Sequence, residues 1–241
     1  MFHPKAIIQL EHLRNNYKFL QSKVGLAKIM GVVKADAYGH GVLPISKVLS
    51  ELGIYGFCVA LVAEIVELIN GDIKNPILHL GKISKDELDV YKTGQVRCTI
   101  NSLEEIEKLE GFASKNRTNI RAHLKVDTGM GRMGVCNDDL DKIMDKLSIS
   151  NYLEIEGLYS HFATAEEVDT KYRDLQLNRY EEVMFKVKKQ LPDVKYFHIA
   201  NSAAILTCPD SYFNMVRPGI SLYGVTPFAT SHKNLHPVMA L

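Results

Sequence analysis

Lys34 closes an apolar run and is followed at once by Asp36, Tyr38 and His40 among glycines, in the stretch GVVKADAYGHG. At the end of a strand a lysine is ordinarily a solvated charge. Held in an apolar pocket, the same amine loses its proton more readily and becomes a base or a nucleophile toward a carbonyl carbon. Periodicity alone does not choose between these two readings. Arg132 lies inside a glycine-rich turn, GMGRMG at residues 129–134, flexible enough to turn a guanidinium back into a pocket. Ser160 and His161, then His198, Asn201 and Ser202, then Arg217 and Gly219, each follow further apolar runs.

Residues so scattered act together only if the fold brings the ends of those runs to one place. Short apolar, β-branched runs occur near residues 28–34, 55–60, 76–80, 96–100, 120–126, 153–159, 194–198 and 213–217. Between them lie stretches with helical spacing of apolar residues, clearest in LPISKVLSEL, SLEEIEKLEGFA, DDLDKIMDKL and YRDLQLNRYEEVMFKVKKQL, with another near residues 10–21. Strands alternating with helices predict parallel βαβ units. Eight of them fit a closed (β/α)8 TIM-type barrel better than an open doubly wound sheet, although miscounting one strand would readmit the sheet. In such a barrel chemistry sits at the C-terminal ends of the strands, where the polar residues above fall.

GMGRMG also fits the dinucleotide pattern GxGxxG, with Glu154 and Glu156 about 20 residues downstream, where a ribose-binding acid would stand. In that fold the helix begins within the glycines. Here the helix start is predicted later, at Asn137 ahead of Asp138 and Asp139, and the motif follows the fifth strand instead of the first. A nicotinamide-dependent dehydrogenase therefore rests on a weak match.

Composition narrows the classes. The chain has 241 residues, 46% hydrophobic and 24% charged, with a formal net charge of +1. That excludes disorder, and no broad field recruits nucleic acid or anionic lipid. Cys58, Cys98, Cys136 and Cys208 form no CxxC pair, so neither a metal site nor a disulfide framework is expected. No apolar stretch reaches membrane-spanning length and the start carries no signal-peptide pattern, so a soluble cytoplasmic protein is expected.

VVKADAYGHG resembles the pyridoxal-phosphate lysine motif of the alanine racemases, and four more segments resemble the same family in the same order: LKVDTGMGRMGV, GLYSHFATAEE, HIANSAAIL and VRPGISLYG. Together they cover nearly the whole chain. The resemblance implies a barrel followed by a C-terminal β domain, working as a homodimer on alanine to supply D-alanine for cell walls. It implies a barrel over residues 1–230 and the start of the β domain over 231–241. Lys34 then matches the residue that forms the internal aldimine and acts as one base. Tyr38, Ser202, Gly219 and Ile220 match phosphate-binding positions, with Asn201 beside them; for Asn201 and Ser202 a helix N-cap is an equally natural role. Arg217 matches the arginine facing the pyridine nitrogen. Unable to deprotonate, it leaves that nitrogen unprotonated and the ring a weaker electron sink. His161 matches the histidine that bonds this arginine. Arg132 matches a substrate-carboxylate arginine, a role its bidentate fork suits. Lys125 matches a position often carbamylated; unmodified, it would repel Arg132, so a carbamate or a chloride-like anion is expected there. The family's second base is a tyrosine of the partner's β domain. No residue here matches it; Tyr223, on the expected continuation of the eighth strand, does not. Two-base racemisation by these 241 residues alone is therefore expected to be impaired. A serine racemase and a pyridoxal-phosphate homeostasis protein are the alternative readings.

Overall fold

A computed structural model describes residues 5–240. After a short strand β1 (Ile7–Ile8), eight strands follow: β2 (Lys28–Val32), β3 (Gly56–Val59), β4 (Ile77–His79), β5 (Val96–Ile100), β6 (Ile120–Lys125), β7 (Leu153–Tyr159), β8 (Tyr196–His198) and β9 (Met215–Val216). Each lies within one of the eight runs read from the sequence. They pair in parallel in the order β8-β7-β6-β5-β4-β3-β2-β9. The eight parallel strands form a nearly closed barrel of the (β/α)8 type. Between β8 and β9 a side chain helps close the ring: Asn214 Oδ1 accepts from Phe197 N at 2.8 Å, and its Nδ2 donates to Lys195 O at 2.6 Å.

The helices are α1 (Leu10–Val24), α2 (Lys34–Gly39), α3 (Val42–Glu51), α4 (Val62–Asn70), α5 (Leu103–Asn116), α6 (Asn137–Ser148), α7 (Lys171–Gln190) and α8 (Ser202–Thr207). α5 shows why such segments are helical. Ser102 caps its start by accepting from Glu105 N, while the Glu105 carboxylate reaches back to accept from Asn101 N. Ile106, Leu109 and Ala113 then bury one face. Between β4 and β5 a 3-10 segment, Lys85–Thr93, stands in place of an α-helix, burying Leu88 and Tyr91 three residues apart.

The strands are buried on both faces, as parallel strands must be. On β5, Val96, Cys98 and Ile100 belong to the layer shared with the helices, while Met30, Val32, Cys58, Leu78 and Met215 form a second cluster. At the N-terminal end Arg97 is paired with Glu156 at 2.7 Å, both buried, and Lys28 Nζ lies 4.1 Å over the Tyr55 ring. That end is filled with side chains, and the open space lies at the other.

Beyond residue 230 the chain leaves the barrel and runs along α1. Buried Asn16 donates to His236 O at 2.8 Å and accepts from His236 N at 2.8 Å. β10 (Met239–Ala240) then pairs antiparallel with β1. Residues 1–4 and 241, which the expected domain boundaries include, lie outside the described residues.

Candidate active site

All ten expected site residues, Lys34, Tyr38, Lys125, Arg132, His161, Asn201, Ser202, Arg217, Gly219 and Ile220, line one cavity of about 630 Å3 at the C-terminal end of the barrel. That volume suits a cofactor-sized ligand.

β2 stops at Val32, two residues short of the expected run, and Lys34 begins α2. α2 is no ordinary helix. Ala35, Asp36, Ala37 and Tyr38 hold φ of 54°, 52°, 53° and 53°, a left-handed turn of four non-glycine residues. Such residues cost about 1–2 kcal/mol each. Lys34 is half-buried among polar groups and not sealed in an apolar pocket, because the cavity around it is open and lined with cations. Tyr38 is supported from behind. The Tyr223 ring meets it edge-on at 5.3 Å, and Tyr223 donates its hydroxyl proton to Val32 O at 3.0 Å. Tyr223 therefore sits in a turn after β9, and not on a strand.

Opposite Tyr38, three groups converge on Ser202 Oγ: Gly219 N at 2.9 Å, Ser221 N at 3.2 Å and Ser221 Oγ at 3.0 Å. With its acceptor side taken, the Ser202 hydroxyl keeps its own proton to donate. Asn201 caps α8 by accepting from Ala204 N at 3.0 Å, and it also lines the cavity. The N–H groups of Ser202, Ala203 and Ile220 find no acceptor among the described residues. A Cβ on Gly219 would lie 3.0 Å from Tyr38 Oη, inside the hollow these groups surround. Unpaired N–H groups, two hydroxyls and a bare glycine surround a hollow with the donors that could hold an anion such as a phosphate.

Arg217 is buried and has no carboxylate partner among the described residues. It donates to Ser160 O at 2.7 Å and to His198 Nδ1 at 2.6 Å. The contact to His161 Nδ1 is long, 3.4 Å, so the short imidazole bond goes to His198. Since Arg217 always donates, His198 carries its proton on Nε2 and gives it to His123 Nδ1 at 2.8 Å. Burial and Arg217 hold His198 well below the ordinary histidine range. Burial first, then Arg217, Arg132, Lys125 and Lys34, push His161 down to about 3.

Sequence reasoning missed Tyr159, which reads as one more apolar residue of its strand. Its ring lies 4.9 Å from that of His198 and nearly parallel, at 5°. Arg217 Cζ stands 4.9 Å and Lys125 Nζ 5.6 Å from the ring centre. Thr99 gives its proton to His79 O, so Tyr159 must donate to Thr99 Oγ1 at 2.9 Å, which pins the ring. This ring is a shelf for two cations.

Lys125 ends β6. Its pKa is lowered to about 8, by burial first and then by Arg132 and Arg217, with Asp127 opposing. A neutral amine can attack the carbon of carbon dioxide and lose a proton to form a carbamate, which would replace repulsion of Arg132 by attraction. The glycine loop leaves the barrel between Val126 and Val135, which form a parallel bridge. Asp127 ties it by accepting from Gly129 N, Met130 N and Gly131 N at 2.7–2.8 Å. Gly134 has φ +125° and would bring a Cβ 2.8 Å from Asp127 N, so only glycine fits. α6 starts at Asn137, after the loop, with Cys136 in the capping position, so no helix N-terminus opens within the glycines.

The alanine racemase N-terminal domain family matches residues 8–227. The chain belongs to this family. An alanine racemase of Desulforamulus reducens is 39% identical over 242 residues, covering 98% of this chain and 65% of that one. The alanine racemase of Clostridium difficile 630 in complex with cycloserine superposes with a TM-score of 0.92 at 35% identity, covering 97% of this chain and 66% of that one. The alanine racemase of Bartonella henselae with covalently bound pyridoxal phosphate gives 0.87 at 32% identity, covering 98% and 66%. The chain thus spans just under two thirds of the length of these relatives. No helix among the described residues is long and apolar enough to cross a membrane.

Proposed function

We propose that this chain is the pyridoxal-phosphate-binding barrel of an alanine racemase that interconverts L- and D-alanine. The observation that carries the reading is Arg217, a buried cation without a carboxylate, facing the same cavity as a phosphate cradle and a lysine. Bound pyridoxal phosphate would supply the electron sink that acidifies the substrate Cα–H. Lys34 is the amine that would hold the cofactor aldehyde and carry a proton to and from one face of Cα. Tyr38 Oη, the Ser202 hydroxyl and the backbone N–H groups of Ala203 and Ile220 would hold the phosphate. Arg217 would keep the pyridine nitrogen unprotonated, which discourages side reactions. Arg132 would take the substrate carboxylate, with Lys125 as a carbamate orienting it.

A second proton-transfer group must serve the opposite face. The phenols nearby are engaged: Tyr159 with Thr99, Tyr223 with Val32 O, and Tyr38 at the cradle. This favours a base from the second subunit of a homodimer. We further propose that the β1–β10 pair, set apart from the barrel, is the first ladder of a separate β unit. Incubation with pyridoxal phosphate should give a near-visible absorbance band that borohydride fixes covalently to the chain. Lys34→Ala should abolish both; a band that survives in that variant refutes the assignment.

A further inference from the structure

The turn from Ala35 to Tyr38 runs against the preference of L-residues, and such a turn persists only when its surroundings over-determine it. Inside the loop, Ala37 N donates to Val33 O at 2.9 Å and Asp36 Oδ1 accepts from Val42 N at 2.7 Å. Farther along, Gly41 N donates to Asp36 O at 3.1 Å and His40 Nδ1 meets Ala37 O at 2.9 Å, but the amide at the start of the turn, Ala35 N, is held from another element. Glu64, half-buried on α4, accepts from Ala35 N through Oε1 at 2.5 Å. Its Oε2 accepts from Ala60 N at 2.7 Å and Leu61 N at 3.0 Å.

We infer that Glu64 is a positioning residue for Lys34: it bridges the start of α4 to the amide that follows the lysine and so holds the left-handed turn that sends Lys34 and Tyr38 into one cavity. The inference rests on the reading of Lys34 as the cofactor amine. A carboxylate is required by the count of donors. Three N–H groups meet two oxygens, and a carboxylate has only acceptors to offer them. A glutamine of the same length presents one oxygen and one N–H2, so at least one of the three donors would face another donor. Nothing in Glu64 touches the cavity; it acts through the backbone of residue 35.

The test compares Glu64→Gln with Glu67→Gln, an exposed carboxylate one turn along the same helix. Without cofactor, amide hydrogen exchange is read at residues 35–38. With pyridoxal phosphate added, the rate of appearance of the near-visible band and its borohydride trapping at Lys34 are read. Ala35 is exposed, which tempers the effect of a charge-assisted bond, so both exchange and capture should change about fivefold or more in Glu64→Gln. Glu67→Gln should match the parent, and the thermal midpoints of all three should lie close together. Parent-like protection and capture in a folded Glu64→Gln overturn the inference and leave the proposed function standing. Failure of the parent chain to capture pyridoxal phosphate refutes the function instead, while the exchange data still judge the bridge. Should Glu64→Gln not fold, the parent decides alone: the Ala35 amide proton should lie well downfield of random coil, and a random-coil position overturns the inference.

Discussion

Gly219→Ala separates the phosphate cradle from the stability of the barrel. The new methyl would stand 3.0 Å from Tyr38 Oη and 3.6 Å from Val32 Cβ. Gly219 has no positive φ, so alanine fits its backbone. By restricting the unfolded chain, a tolerated Gly→Ala change stabilises by about 0.4–1 kcal/mol, a rise of roughly 1–4 °C in Tm at this chain length. The tight contact offsets part of that gain, so Tm should hold or rise slightly. Binding should move the other way. The methyl fills the hollow and displaces the Tyr38 hydroxyl. Losing one hydrogen bond to a charged oxygen costs about 1.5–3 kcal/mol, or at least about tenfold in affinity. The assay is absorbance titration with pyridoxal phosphate and, separately, with pyridoxal, which has no phosphate. Pyridoxal phosphate should lose its advantage over pyridoxal while capture of pyridoxal itself stays near the parent level. Equal loss of both ligands, or unchanged affinity for pyridoxal phosphate, refutes the cradle.

Lys125, lowered from the usual 10.5 to about 8, should form a carbamate. Carbon-13 bicarbonate should give a carbamate NMR signal that grows from neutral pH toward pH 8 and is absent in Lys125→Ala. Between pH 8 and 10.5 the unfolded chain binds a proton that the native lysine does not, so in carbonate-free buffer this group makes stability rise with pH across that window. The histidines act at the acid end. His123 and His161 are both pushed down to about 3, chiefly by burial. Below the ordinary value of about 6.5 the unfolded chain takes up protons these two refuse. Stability should therefore fall from pH 6.5 toward 3, by about 1.4 kcal/mol per pH unit for each histidine within the window. Denaturant midpoints measured against pH check the slope, and His161→Asn should make it shallower. Tyr159→Phe keeps the aromatic shelf and loses the bond to Thr99, costing about 1 kcal/mol. Tyr159→Leu removes the shelf, and only this variant should change the absorbance spectrum of the bound cofactor.

The barrel was legible because burial on both faces turns each parallel strand into an apolar, β-branched run, and all eight such runs hold a strand. α5, α6 and α7 were legible from helical spacing. α4 was not: VAEIVELIN is short, and its amphipathic pattern blurs into the apolar run before it. The 3-10 segment was hidden because its pair Leu88 and Tyr91 fits either helix type. The site divides the same way. Residues that project from strand ends into the cavity could be named in advance. Those that act through another group could not. Asn214 closes the ring with a side chain, Glu64 works on a backbone amide 29 residues away, and Tyr159 offers a ring face from inside the barrel. The left-handed turn has no signature at all, since alanine, aspartate and tyrosine carry no preference for positive φ strong enough to read.

The charge distribution shows what the site is built for. Lys34, Lys125, Arg132 and Arg217 line the cavity, and among the described residues Glu166 is the one acid in that lining. Elsewhere the same protein pairs its buried cation: Arg97, at the closed end of the barrel, is matched by Glu156. A buried arginine without a carboxylate disfavours folding, and so do four residues in a left-handed turn. The two departures meet at one place, where the turn carries Lys34 and Tyr38 toward the hollow that Arg217 overlooks. A carboxylate beside Arg217 would relieve the first, at the expense of protonating a pyridine nitrogen held there. A right-handed turn would relieve the second and point Tyr38 away from the cradle. The barrel end is therefore arranged for a ligand that brings negative charge of its own, and the fold tolerates local instability there because the closed end pairs its buried arginine and the core packs on both faces of the strands.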